Sequence, residues 1–378
     1  MATIDQETMF TGRPAKAAGP SAQDRIAGFD GLRAIAFLFV FVSHKIGRDA
    51  AVYDTLGSTG VMVFFALSGL LITRILVRTR VAVEAGETTA LAGLRRFYLR
   101  RTARIFPIYY MTIGLFLIAS LFVRFEGFEG GARVAMLLYA TNIYVFTTGH
   151  WVGHFGHFWT LAIEEQFYLL FAPILLFSPS SAARRTCAAF VVLGLFTLAV
   201  LQWAGASTLT IDLNSMTGFG YLALGGLAGL NLHRKAPRWL VSGPAQTTAA
   251  LAVLIAPLTI LNDDGVWRTC APAVAAISTL LVFQIAQNQT SRFVAFLETW
   301  PLRSLGRISY GCYIFHEFVH FYNIEAAVRK LGVTLEVADW VPAPIELAVT
   351  ISLAAVSWRF FERPIMAWAH QATQKTSA

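Results

Sequence analysis

Residues 57–78 read GSTGVMVFFALSGLLITRILVR. Apart from its arginines the stretch carries no charge, and its length matches the ~20 residues a helix needs to cross the hydrocarbon layer of a bilayer. Similar runs recur at 31–48, 104–123, 159–177, 187–204, 216–232, 246–262, 270–287, 308–324 and 345–361. Composition points the same way: of 378 residues, 56% are hydrophobic and only 14% charged, where soluble domains carry about 25% charged residues. The expected fold is all-α, a polytopic membrane protein of about ten transmembrane helices.

The distribution of Lys and Arg gives a second reading of the same count, because cytoplasmic loops collect positive charge. Arg78, Arg80, Arg95, Arg96, Arg100 and Arg101 fall between the second and third runs. Arg184 and Arg185 fall between the fourth and fifth, Arg234, Lys235 and Arg238 between the sixth and seventh, and Arg292, Arg303 and Arg307 between the eighth and ninth. These alternate loops are expected inside, with both termini cytoplasmic. The segments around Asp212, around Asn262-Asp263-Asp264 and from Glu325 to Asp339 are expected outside. A net charge of +8 is thereby explained by topology, and nucleic acid is not an expected partner. The short apolar segment 132–148 is read as re-entrant or interfacial; if it crossed, the alternation would fail.

No cleavable leader is expected, since residues 1–28 contain no short apolar stretch before a small-residue cleavage site. Cys187, Cys270 and Cys312 are odd in number and scattered, so neither a disulfide framework nor a metal knuckle is expected. With no internal repeat, the chain divides into a cytoplasmic tail at 1–25, one membrane domain at 26–364 and a second tail at 365–378.

Ionisable groups inside a membrane are costly and mark function. Arg33 and His44 are separated by three helical turns plus about 20°, so they share one face about 16 Å apart along the axis. His44, with an unperturbed pKa of ~6.5, is the preferred general base; the plainer reading puts Arg33 and His44 at opposite headgroup layers. Ser68, in Phe64-Phe65-Ala66-Leu67-Ser68-Gly69, serves either close helix packing or as a nucleophile. Arg100, Arg101 and Arg104 recur at helical spacing before Pro107. They suit either anionic headgroups or the phosphates of a cytosolic cofactor. Glu164 and Glu165 sit in Trp159-Thr160-Leu161-Ala162-Ile163-Glu164-Glu165-Gln166-Phe167-Tyr168, where a carboxylate pairs with an arginine, orients a histidine or binds sugar hydroxyls. Ser309, Tyr313 and His316 share a helical face. Arg359-Phe360-Phe361-Glu362-Arg363-Pro364 reads as a clamp with proline as the helix stop.

Taken in order, these motifs resemble the acyltransferase 3 family of integral membrane acyltransferases. Asp30 to Ala36 leading to His44 is similar to the family's opening Arg and His signature, and Glu164 matches better than Glu165. The resemblance implies ten transmembrane helices, a cytosolic acyl-CoA donor that is most often acetyl-CoA, and acceptors that are hydroxyls of exported glycans or lipid-linked sugars. It implies no permanently bound cofactor and no metal, although His150, His154 and His157 have spacing that could suit one. It also implies residence in the inner membrane.

From the expected topology, Arg100, Arg101 and Arg104 hold the nucleotide phosphates of a donor entering from the cytoplasmic side, Arg33 stabilises charge on the donor, His44 takes the hydroxyl proton and Glu164 orients it. Ser68, Tyr313 and His316 are further candidates, and a covalent step through His44 or Ser68 stays open. Without an esterase-like module after residue 365, the chain is expected to act alone or with a separate periplasmic acyl-handling partner. Alternatives are acylation of a macrolide-type metabolite, or a transporter or flippase that moves substrate without acyl turnover.

Overall fold

A computed structural model describes residues 25–45, 51–259, 264–320 and 341–375. Among them every regular element is helical. The principal helices are α1 (Phe29–Lys45), α2 (Ala51–Glu84), α3 (Ala90–Ala119), α4 (Gly131–Leu137), α5 (Thr141–Thr148), α6 (Phe158–Phe177), α7 (Ala183–Trp203) and α8 (Thr208–Leu213). They continue as α9 (Ser215–Leu230), α10 (Gly243–Thr259), α11 (Asp264–Gln287), α12 (Arg292–Leu297), α13 (Trp300–Phe315), α14 (Pro342–Ser357) and α15 (Arg363–Lys375).

Each apolar run falls on a helix. Six helical stretches are long and apolar enough to cross a bilayer: Thr55–Glu84, Ala90–Ala119, Gly153–Phe177, Ser180–Trp203, Thr269–Gln287 and Pro342–Thr373. The remaining four, α1, α9, α10 and α13, have 17, 16, 17 and 16 residues, at or below the short end of the usual ~17–25. The ends of the first, seventh and ninth runs, and the expected outer segments at Asn262-Asp263 and from Glu325 to Asp339, lie outside the described residues.

Small residues set the helix spacing. On α2, Gly69 faces the Leu222 carbonyl of α9 so closely that an added Cβ would stand 1.8 Å from its oxygen. Gly225 and Gly229 on α9 press in turn against the Ala66 and Leu70 carbonyls. Such contacts let two backbones approach where lipid gives no hydrophobic drive between helices. Aromatic side chains fill the space around α6: Phe158, Phe167, Phe171 and Tyr168 are buried. Val192, Leu193, Leu195 and Phe196 on α7 remain exposed, as a lipid-facing surface requires.

Segment 132–148 is two helices of seven and eight residues, and neither can cross a bilayer. They break at Tyr139, whose φ of 51° is unusual for a residue with a side chain. Its ring is stacked on Tyr109 at 4.2 Å, and its carbonyl accepts from Gln166 Nε2 at 2.7 Å; these contacts hold the strained backbone in place.

Two boundaries depart from the sequence reading. The basic run does not precede the third helix but belongs to it, because α3 begins at Ala90, where Thr89 accepts from the Ala92 N–H at 3.1 Å. Pro364 does not end the last helix either. Trp358–Glu362 forms a wider π-turn in which the Arg363 N–H donates to the Trp358 carbonyl. That turn accommodates the missing donor of Pro364. The chain then continues as α15, expected as tail, which buries Ala369 and Thr373.

Candidate active site

A cavity of about 120 Å³ opens between α1, α2, α3, α6 and α13. Arg33 projects into it from the first turns of α1, tethered by Nη1 to Asp30 Oδ1 at 3.0 Å. Arg101 and Arg104 enter from α3, one helical turn apart on the same face. The Arg101 guanidinium lies 6.0 Å and 5.6 Å from the ring centroids of Phe97 and Tyr168, a placement that attracts the cation electrostatically.

Opposite stands Glu164 of α6, whose Oε2 accepts from the Tyr168 hydroxyl at 3.1 Å. Ser68 of α2 shares this wall with Glu164. Three guanidiniums face two carboxylates, Asp30 and Glu164. The excess positive charge suits an anionic ligand, and the fork of each guanidinium matches phosphate oxygens.

Arg100 is turned elsewhere. Its Nε donates to Thr373 Oγ1 at 3.1 Å and ties α3 to α15. Glu165, beside Glu164, also stays out of the cavity, with its Oε1 buried and unbonded. Gln166 serves structure, bonding Tyr139, Asn142 and Ser215 to hold the broken segment against α6.

At the far end the cavity is closed by Tyr313 of α13 and Thr160 of α6, whose hydroxyls share a 2.6 Å hydrogen bond. Each also lies 3.1 Å from the His157 carbonyl. Beyond this closure lie the histidines. The His44 ring is 5.2 Å from that of His316, which is 4.9 Å from that of His157. Arg33 therefore lines the cavity and His44 does not; Tyr313, on the cavity wall, is in ring contact with His316, which in turn meets His44. Ser309 lines the cavity with Tyr313, whereas His316 is fully buried on the other side.

The sequence reading missed Glu317, whose Oε1 stands 3.3 Å from His44 Nδ1 and 3.9 Å from His316 Nε2. Its adjacency to His316 was the available signal. His150, His154 and His157 do not gather: His150 bonds the Thr148 carbonyl and His154 meets His320 at 3.1 Å. Two other trios bring potential ligand atoms within 4.8 Å of one another, His44–His316–Glu317 and His154–Glu317–His320. Lys45, 3.2 Å from His320 Nδ1, sets a positive charge beside the second.

The family model described as an acyltransferase domain matches residues 26–361. The chain is 27% identical over 362 residues to the O-acetyltransferase OatA of Staphylococcus aureus (strain NCTC 8325 / PS 47), covering 90% of this chain and 57% of the relative. Against the peptidoglycan O-acetyltransferase OatA of Listeria monocytogenes serovar 1/2a the identity is 27% over 366 residues, covering 90% and 56%. The chain thus spans little more than half the length of these relatives. No solved structure matches. With a helical framework, apolar spans and a match that runs through Arg33, Ser68, Arg101, Glu164, Tyr313 and His316 alike, this chain belongs to the acyltransferase 3 family of multi-pass membrane proteins.

Proposed function

We propose that the chain is a membrane O-acetyltransferase that moves an acetyl group from cytosolic acetyl-CoA to a hydroxyl of a cell-surface or exported glycan or lipid-linked sugar. One observation carries this reading: three guanidiniums enter a cavity whose wall residue Tyr313 is in ring contact with His316, itself 5.2 Å from the ring of His44. The names of the relatives support acetyl and glycan chemistry. The small cavity favours a short acyl chain. The orientation that goes with it has ten crossings, both termini cytoplasmic, and residence in the inner membrane.

The donor enters beside Arg101 and Arg104, which bind its phosphates, and its thioester lies near Arg33 and Glu164. Tyr313 turns off Thr160, and the acceptor hydroxyl, bound on the histidine side, meets the thioester there. His44 takes the hydroxyl proton as the oxygen forms a bond to the carbonyl carbon. Positive charge from Arg33 stabilises the developing oxyanion. Collapse breaks the C–S bond, and the departing coenzyme A thiolate receives the proton held by His44. Ester and free thiol are the products, and the base is restored. Labelled acetyl-CoA supplied to inside-out vesicles tests the reading. Label becomes esterified in the wild type and not in His44→Ala; undiminished transfer by that variant removes His44 as base, and flux of acceptor without esterification identifies a transporter.

A further inference from the structure

His316 Nδ1 lies 2.7 Å from the Tyr313 carbonyl oxygen. A carbonyl only accepts, so Nδ1 carries the hydrogen and Nε2 is left with a bare lone pair. That nitrogen is fully buried and has no hydrogen-bond partner. Glu317 Oε1 is likewise buried without a hydrogen bond, although it stands 3.3 Å from His44 Nδ1. Two adjacent acceptors without donors are costly in a low-dielectric interior. Such orphaned groups in a native fold call for a functional account.

Other charged and titratable groups near His44 among the described residues have partners of their own. Lys45, its neighbour on α1, pairs with Glu346 of α14 at 3.4 Å and donates to the Val319 carbonyl at 2.8 Å. On α6, His157 has its two ring nitrogens 3.1 Å and 3.3 Å from the carbonyls of His154 and Ile314. His154 and His320 face one another at 3.1 Å. Glu317 is a carboxylate at ion-pair distance from His44.

We propose that Glu317 is the positioning residue of the base: its carboxylate meets its full partner only when His44 becomes an imidazolium during transfer. The inference rests on the reading of His44 as the base. In the resting protein the 3.3 Å contact is not an aligned hydrogen bond. Once His44 has taken the hydroxyl proton, both its ring nitrogens carry hydrogens, and Glu317 Oε1 faces a cation. An interaction stronger in the transition state than in the ground state raises kcat and leaves donor binding alone. The bare Nε2 of His316 stands 3.9 Å from the same Glu317 oxygen.

The test uses the full chain in vesicles with acetyl-CoA and a soluble glycan acceptor. Glu317→Gln lowers kcat about 10²-fold. Its KM for acetyl-CoA and its melting temperature stay at wild-type values. Glu317→Asp recovers part of the loss, and Glu317→Gln adds nothing in a His44→Ala background, because residues acting as a unit are non-additive. If Glu317→Gln melts early, Glu317→Asp decides: full folding with wild-type kcat overturns the inference, because a carboxylate one methylene farther from His44 would then serve as well. Wild-type kcat in Glu317→Gln, or losses that multiply in the double variant, also overturn it while leaving His44 as base. A metal ion co-purifying at one per chain and lost in Glu317→Gln overturns it too, since the carboxylate would then be a ligand. Full activity of His44→Ala defeats the underlying reading instead.

Discussion

Replacing Gly69 with alanine puts one methyl group where α2 and α9 touch. The new Cβ would stand 1.8 Å from the Leu222 carbonyl oxygen and 2.8 Å from its carbon, and must retreat about 1.2 Å to reach the 3.0 Å floor of real Cβ contacts. Neither atom ends a flexible side chain, so the helices themselves must part. Overpacking of this kind costs about 1–3 kcal/mol. The displacement also reaches the chemistry, because Ser68 is the next residue and Phe64 and Phe65 line the same cavity. A misplacement of about 1 Å near a reacting centre costs on the order of 10²-fold in rate. The control is Gly114→Ala on α3, where the added Cβ meets nothing within 4 Å. There alanine stabilises a helix interior by roughly 0.5–1 kcal/mol. Thermal melting in detergent and turnover of labelled acetyl-CoA in vesicles read both effects. Gly69→Ala melting and turning over like Gly114→Ala would refute the reasoning, because the close approach would then not be holding the cavity wall.

Arg101→Ala raises the KM for acetyl-CoA about tenfold, the value of one charge-assisted hydrogen bond. Arg100→Ala leaves that KM unchanged and lowers the melting temperature, since its guanidinium bonds Thr373 rather than facing the cavity; equal KM effects in steady-state kinetics would contradict the placement. Outside the spans, burial tends to raise the Glu298 carboxyl, but hydrogen bonds from Arg25 at 2.6 Å and from the Gly28 N–H at 2.7 Å hold it below the ordinary carboxylate value. A depressed folded-state pKa gives stability that is present above the unfolded value of ~4.3 and lost as pH falls through the folded value. Melting temperatures measured from neutral to acid pH therefore drop in the wild type, and drop less steeply in Glu298→Gln.

Much of this was legible because lipid imposes long uninterrupted apolar runs. The run at 57–78 announces its helix without any knowledge of partners, and the short run at 132–148 betrays itself by length. Boundaries were harder. Thr89 caps α3 well before the apolar part begins, and nothing in an arginine-rich stretch distinguishes a helical first half from a loop. Pro364 looks like a stop because a proline removes one donor; only the backbone shows a π-turn accommodating it. In the site, helical spacing put Arg101 and Arg104 on one face with Arg100, but spacing on one helix cannot say that α15 claims Arg100. The alignment of Arg33 with His44 along α1 is real as periodicity, yet Tyr313, from a helix almost three hundred residues away, lines the cavity with Arg33 while His44 stays outside its lining. Glu317 escaped notice because its meaning depends on His44 from the opposite end of the chain.

The hydrogen bond between Tyr313 and Thr160 has a bearing on the cell as well as on the reaction. A catalyst that takes a nucleotide-bearing donor from one side and serves an acceptor on the other has to be hollowed from both faces. Hollows that met permanently would give water and protons a conducting route and short-circuit the gradient the membrane exists to maintain. Under the proposed function, the hydrogen-bonded hydroxyls of Tyr313 and Thr160 on the cavity wall are what would keep the resting protein insulating, and a side-chain swing there is what transfer would require.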